Sequence, residues 1–427
     1  MLKLVKFFNK LTNMGNTQKS LPILLIAACL LGSVAAAETQ EKKVIPIGNI
    51  TVLGSYSKVC GGNNLSGLYT SANFAPVVKL SASDYLIPLY NGLYKRQRQI
   101  INEEEGGRLY TTIMSHNLSF MHKHIYPALL TQRVSGFVSL NYNKETSDES
   151  FGDGLYDWRD YGASLDYQYK LIKTETDTGI LLFGGKYYFR KYPNFKSLIA
   201  LATQTAPEED EKDQNCWGAT TRYTHKFADK LMLSLSYDFL FKDFTDKHTI
   251  DSDGILEDKK RQDTVHFFKL NGGYRLGKRF ILGLDGEIEL NNSNQDYYDT
   301  MNTPLPPGDD IFVPHYFNYN RYAIRPSLTY LLPLKENKNI VFKISYAYTL
   351  RDYTNRNVKD AQGIYKSDIQ EDRIHAGFLS INLPLTRKLS FLINADYIHN
   401  ISNMEYERYY RYDYDLYHIL LGFAYKF

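Results

Sequence analysis

Apolar and polar positions alternate with a period of two along most of this chain, the spacing of a β-strand with one face against something apolar and the other against something wetter. In residues 230–242, KLMLSLSYDFLFK, one face carries Leu231, Leu233, Leu235, Tyr237, Phe239 and Phe241. Met232, Ser234, Ser236, Asp238, Leu240 and Lys242 form the other. In residues 279–290, RFILGLDGEIEL, Phe280, Leu282, Leu284, Ile288 and Leu290 oppose Ile281, Gly283, Asp285, Glu287 and Glu289. The segment NIVFKISYAYTLR sets Ile340, Phe342, Ile344, Tyr346, Tyr348 and Leu350 against Val341, Lys343, Ser345, Ala347, Thr349 and Arg351. Each segment is long enough to cross a bilayer as a tilted strand.

The connections carry a second regularity: long and short loops alternate. Short turns fall at LTR, PLKENK, LGK, ADK, KTETDT and near KHIYP. Long loops fall at 144–157, 191–214, 245–262, 292–318, in DYTNRNVKDAQGIYKSDIQ and in ISNMEYERYYRYD. A soluble sandwich has no reason to put every long loop at one end, whereas a membrane barrel does. Strands are expected near 80–97, 107–121, 127–143, 158–171, 178–190, 215–227, 230–244, 263–275, 279–291, 319–332, 339–351, 371–383, 388–400 and 414–427. The fold expected is a single antiparallel transmembrane β-barrel of 14 strands over 80–427. Residues 38–79 are left as a periplasmic extension, a plug or an extra strand pair, because NITVLGSYS and SGLYTSANF could raise the number to 16.

The N-terminus sets the compartment. Lys3, Lys6, Lys10 and Lys19 precede LPILLIAACLLGSVAAA, and Ala35 and Ala37 fit a small-residue cleavage site, so residues 1–37 read as a secretory signal peptide. Cys29 at the end of IAAC offers a lipobox as an alternative. No later run supplies the about 18 apolar residues of a transmembrane helix. Without residues 1–37 the chain has 46 Lys and Arg against 47 Asp and Glu, which argues against nucleic acid as a partner. Cys60 and Cys216 alone make no disulfide scaffold. The 36 tyrosines suit a surface that is apolar at one end of a side chain and wet at the other.

The chain ends ILLGFAYKF, with Phe427, Tyr425 and Phe423 at alternate positions and Leu421, Ile419 and Tyr417 before them. An apolar terminus must be buried against something, since ordering it costs entropy. This ending resembles the C-terminal signature of bacterial outer-membrane β-barrel proteins. The resemblance covers the last strand and the signal peptide, and it implies recognition by the barrel assembly machinery. It brings no catalytic or ligand residues. The localisation it implies is the outer membrane, with the lipid bilayer and lipopolysaccharide as surroundings.

Candidate chemistry is sparse. TTIMSHNLSFMHKH holds Ser115, His116, Ser119, His122 and His124, but on a strand Ser115 and Ser119 face one way with Asn117 while His116 faces the other. His122 and His124 have no evident third metal ligand. DGLYDWRDYG, with Asp153, Asp157, Trp158, Arg159 and Asp160, reads as an aromatic girdle beside solvated loop charges. No enzyme activity, metal or cofactor is expected.

The informative charges lie on the wetter strand faces. Lys or Arg facing lipid at the bilayer midplane costs roughly 2–4 kcal/mol, so this face is the lumen. Asp285, Glu287, Glu289, Arg321, Arg325, Lys343 and Arg351 form the expected lumen ladder, joined by Lys186, Arg190, Arg222, Lys226, Lys242 and Lys269. A register setting Glu289 opposite Arg321 also sets Asp285 opposite Arg325. The function expected is a porin-like channel for passive diffusion of small hydrophilic solutes. The alternative is a structural or surface-interaction protein with a closed or plugged lumen, acting through its external loops.

Overall fold

The computed structural model describes residues 44–427 other than 60, 61, 63, 102–106, 128, 129, 175, 196–209, 300–310, 335–337 and 409. The signal segment, Cys29 and Cys60 therefore lie outside the described residues.

Sixteen strands form the barrel: β1 (Gly48–Val59), β2 (Leu65–Phe74), β3 (Asp84–Ile101), β4 (Arg108–Ile125), β5 (Leu130–Lys144), β6 (Trp158–Lys173), β7 (Asp177–Lys191) and β8 (Gln214–Phe227), followed by β9 (Leu231–Ile250), β10 (Leu256–Leu276), β11 (Phe280–Ser293), β12 (Tyr319–Pro333), β13 (Asn339–Lys359), β14 (Tyr365–Pro384), β15 (Leu389–Ser402) and β16 (Tyr414–Lys426). Each pairs antiparallel with its chain neighbours, and β1 pairs with β16 from Asn49↔Lys426 to Val59↔Leu416. The sheet has no free edge, so every strand finds its backbone partners within the wall.

The strand number corrects the expected 14 to 16, and the added pair is β1 and β2. Their alternation is blurred because the inward residues Leu53 and Val59 are apolar and buried. A second correction concerns two loops. Residues 245–262 and 352–370, expected to be long, are mostly strand: β9 and β10 meet around 251–255, and β13 and β14 around 360–364. In each turn an aspartate (Asp251, Asp360) accepts backbone N–H bonds from residues two and four positions on. Glycine closes each turn at positive φ, Gly254 at 79° and Gly363 at 90°. These hairpins project beyond the rest of the wall. A two-stranded hairpin, Tyr297–Asp299 with Ile311–Val313, sits in the loop between β11 and β12.

The register fixes which face is which. On β16, Tyr417, Ile419, Leu421, Phe423 and Tyr425 point outward and are 40–50 % exposed. Ile288, Tyr322, Ile324 and Ile344 on β11–β13 are exposed in the same way. Their strand neighbours Glu289, Asn291, Thr349 and Arg351 point inward and are buried. A wall with large apolar side chains outside and polar ones inside is the reverse of a soluble core, and it matches strands immersed in hydrocarbon. The wall is closed and spans with strands. Phe427 completes it: its N–H donates to the Gly48 carbonyl at 3.0 Å, and its ring lies 5.5 Å from Phe74.

Candidate functional site: the lumen

The lumen is divided by height. At the loop end, β3 and β4 leave the wall. The β2–β3 pairing ends at Tyr69↔Lys95, and the β3–β4 register shifts between Arg96 and Gln99. The arm of this hairpin around Arg96–Arg98 then lies against the inner faces of β1 and β16. Ser55 Oγ donates to the Arg96 carbonyl at 2.9 Å, and the Arg98 N–H donates to Ser57 Oγ at 2.7 Å. His418 Nε2 reaches the Arg98 carbonyl at 2.6 Å, while its Nδ1 is held by Asp396. Arg411 N donates to the Gly107 carbonyl, pinning the start of β4 to the loop between β15 and β16. Gly67 makes the approach possible, since a Cβ there would lie 1.9 Å from the Arg96 oxygen. Leu53, Val59, Leu416 and Leu420 are the apolar floor beneath this hairpin, and Ile100 and Tyr110 are buried in it. The hairpin narrows the lumen from one side.

Above it, loop segments and strand overhangs pack into a polar, aromatic layer. The Arg356 guanidinium, fully buried, lies 4.0 Å from the rings of both Tyr316 and Tyr353. Arg261 is held bidentately by Asp263 at 2.8 and 2.9 Å, with the Phe317 ring 4.1 Å away. Tyr365 and Lys359 both reach Asp299. Nothing in the alternation announced this layer, because its residues come from overhangs and loops where no lipid face imposes a pattern.

At mid-height the expected ladder is laid out by the β11–β12 register, which pairs Glu289 with Arg321 and Asp285 with Arg325. Arg321 Nη1 bonds Glu287 Oε1 at 2.6 Å and Glu289 Oε2 at 2.8 Å, and the Tyr319 hydroxyl donates to Glu289 Oε1 at 2.7 Å. Arg351 stands beside Arg321 across β12–β13, and opposite Asp372 across β13–β14. Around the wall, Asp238 accepts from Thr220 at 2.6 Å and Lys269 at 3.4 Å, and Arg190 binds Asp160 bidentately at 2.8 and 2.9 Å. Asp285 and Arg325 stand opposite each other without closing an ion pair, and the Arg325 guanidinium lies 5.7 Å from the Phe378 ring. Lys343 is inward and exposed.

The remaining candidates are dispersed. Ser115 and Ser119 face the lumen, and His116 faces outward with its Nδ1 2.9 Å from the Tyr90 hydroxyl. His122 and His124 both reach Asp84 Oδ1, at 3.3 and 2.7 Å. Trp158 and Asp160 face inward, the indole against Arg190. Cys216 faces the lumen, buried and free. Among the described residues no group of three His, Cys, Asp or Glu side chains is placed to hold a metal ion.

No family model matches this sequence, and no curated protein matches it. Solved barrels share its outline. The outer-membrane protein OmpT of Vibrio cholerae is 12 % identical over 90 % of this chain and 99 % of its own, with a TM-score of 0.43. OccD3 of Pseudomonas aeruginosa is 9 % identical over 89 % and 91 %, with a TM-score of 0.46. An anion-selective porin from Comamonas acidovorans is 11 % identical over 90 % and 99 %, with a TM-score of 0.43.

Proposed function

We propose that this protein is a porin-like outer-membrane channel for passive diffusion of small hydrophilic solutes. The observation that carries the reading is the inside-out wall: a closed sixteen-strand barrel whose exposed apolar residues face outward while charged side chains line the lumen. Barrels of this strand number enclose an interior too wide for side chains alone to fill. The folded-in hairpin narrows that interior, and the ion-paired wall beside it presents hydrogen-bonding groups to a passing solute. The terminal Phe423–Tyr425–Phe427 pattern supports insertion by the assembly machinery, and the outward apolar belt suits bilayer lipid and lipopolysaccharide. Planar-bilayer conductance of the refolded barrel tests the reading: discrete, ohmic steps support it, and a folded barrel that passes no ions refutes it. The buried layer around Arg356 favours a second reading, a surface-interaction protein with a plugged lumen, and silent bilayers would select it.

A further inference from the structure

We propose that the turn-end half of the lumen is an anion-collecting vestibule, so that the solutes favoured are small anions bearing carboxylate or phosphate groups. The proposal rests on the channel reading and names its solute class.

The argument is a charge balance by height. From mid-height to the loop end, most inward acids are engaged: Asp160 by Arg190, Asp263 by Arg261, Glu287 and Glu289 by Arg321, Asp396 by His418. At mid-height Asp238 is engaged by Lys269. Toward the turn end the balance fails. The register turns Lys123, Arg133, Lys170, Arg222, Arg275 and Lys343 inward, on six different strands. Among the described residues none of these six forms an ion pair, and the Arg133 Nε is buried without a hydrogen-bond partner. The inward acids nearest this level are Asp285, opposite Arg325, and Asp166, opposite Arg133, and neither closes an ion pair with the cation it faces. Lys226 does not enter the balance, because Asp229 in the adjoining turn binds it.

Because these cations are spread around the ring, their potentials add on the axis. Low-dielectric walls focus such a potential, and a ring of Lys and Arg concentrates anions. At physiological salt the screening length of about 8 Å still reaches well into a lumen of this strand number. Fixed like charges held together in one vestibule are mutually unfavourable unless mobile counter-ions occupy it, so the arrangement suits a channel whose cargo supplies the missing negative charge.

The test is the reversal potential of the refolded barrel in a planar bilayer under a potassium chloride gradient. Wild type is expected to pass chloride over potassium by on the order of ten-fold at 0.1 M salt, with the ratio collapsing toward one near 1 M, where the screening length is about 3 Å. Arg222→Glu with Lys343→Glu is expected to bring the ratio below one. Arg222→Gln with Lys343→Gln, which adds no new charge, is expected to give an intermediate ratio if the reversal variant fails to fold, as judged by heat-modifiable migration. A conducting wild-type barrel with a ratio at or below one overturns the vestibule and leaves the channel standing. So does a ratio that both double variants leave unchanged. Folded barrels that pass no ions overturn the channel reading and the vestibule together.

Discussion

Gly67→Ala tests whether the folded-in hairpin shapes the lumen. The new Cβ would lie 1.9 Å from the Arg96 oxygen and 2.8 Å from its carbonyl carbon, where real Cβ atoms keep at least 3.0 Å. Backbone, not a flexible side-chain end, is the obstacle, so the hairpin must lift by about 1 Å. Overpacking of this kind costs about 1–3 kcal/mol. The Ser55–Arg96 and Arg98–Ser57 bonds that the lift strains are worth about 0.5–1.5 kcal/mol each. The expected loss is about 2–6 kcal/mol of hairpin docking. At a site without a clash, glycine to alanine stabilises by about 0.4–1 kcal/mol through the unfolded chain, so even the sign separates the cases. Gly54→Ala is the matched control on the neighbouring strand, since its Cβ would meet nothing nearer than the Leu421 oxygen at 3.8 Å. The assay is single-channel conductance beside the denaturant midpoint. Gly67→Ala should show larger or noisier open levels and lower stability, and Gly54→Ala neither. A Gly67→Ala barrel that conducts and unfolds like wild type would refute the placement of the hairpin.

Four further outcomes follow from the same geometry. Arg321→Met strands Glu287 and Glu289 and should cost about 2–4 kcal/mol by urea unfolding, most of it regained when both glutamates become glutamine. Arg325→Glu removes an exposed, unpaired cation, so ion selectivity should move toward cations while the unfolding midpoint holds. Asp157 sits buried in the loop before β6, where desolvation pushes its carboxyl up to about 6. The folded loop binds the proton more tightly than the unfolded chain, so its contribution is complete below pH 3.8 and is lost as pH rises through 6. That is at most about 3 kcal/mol. Protection of the 145–157 amides, relative to their intrinsic exchange rate, should accordingly be higher at pH 5 than at pH 7, and Asp157→Asn should flatten the difference. Deleting Phe427 removes one backbone bond and ring contacts with Phe74, so in vitro refolding should survive while outer-membrane yield in cells falls; normal yield would count against the assembly-signal reading.

What was legible in the sequence tracks where lipid imposes a rule. β9, β11 and β13 face hydrocarbon on one side and polar lumen on the other, so period two was unambiguous, and it carried the Glu289–Arg321 register with it. β1 and β2 escape the pattern because their inner faces mix the buried Leu53 and Val59 with Ser55, Ser57 and Gly67, where a hairpin from elsewhere in the chain rests on them. The only local hint was Gly67, a strand glycine where another backbone passes close. The long overhangs of β9–β10 and β13–β14 look like loops in the sequence for a different reason. Above the bilayer neither face is lipid, so KHTIDSDGILEDKK and TNRNVKDAQGIYK show turn chemistry without alternation. The layer around Arg356 is assembled from such segments and leaves no periodic trace.

The tyrosines show the same limit from the other side. Their number suggested an interfacial girdle, yet several have a narrower task that only the register reveals. The outward histidines His116, His225, His266 and His375 each lie within hydrogen-bonding distance of a tyrosine hydroxyl, from Tyr90, Tyr223, Tyr237 and Tyr346, at 2.9, 2.8, 2.9 and 2.6 Å. Three of these pairs are diagonal across strands. Tyr237 stands opposite Phe268 with His266 two residues away, Tyr90 opposite Leu118 with His116, and Tyr346 opposite Gly377 with His375. An imidazole facing lipid with its ring nitrogen unmatched costs several kcal/mol, and so does a buried phenol. The pairing matches each phenol to one imidazole nitrogen, Nδ1, and so removes one unmatched polar group from each side of the pair. A histidine in an otherwise hydrophobic strand face therefore says little by itself. It becomes interpretable once the neighbouring strand is in register and a tyrosine falls one pleat away.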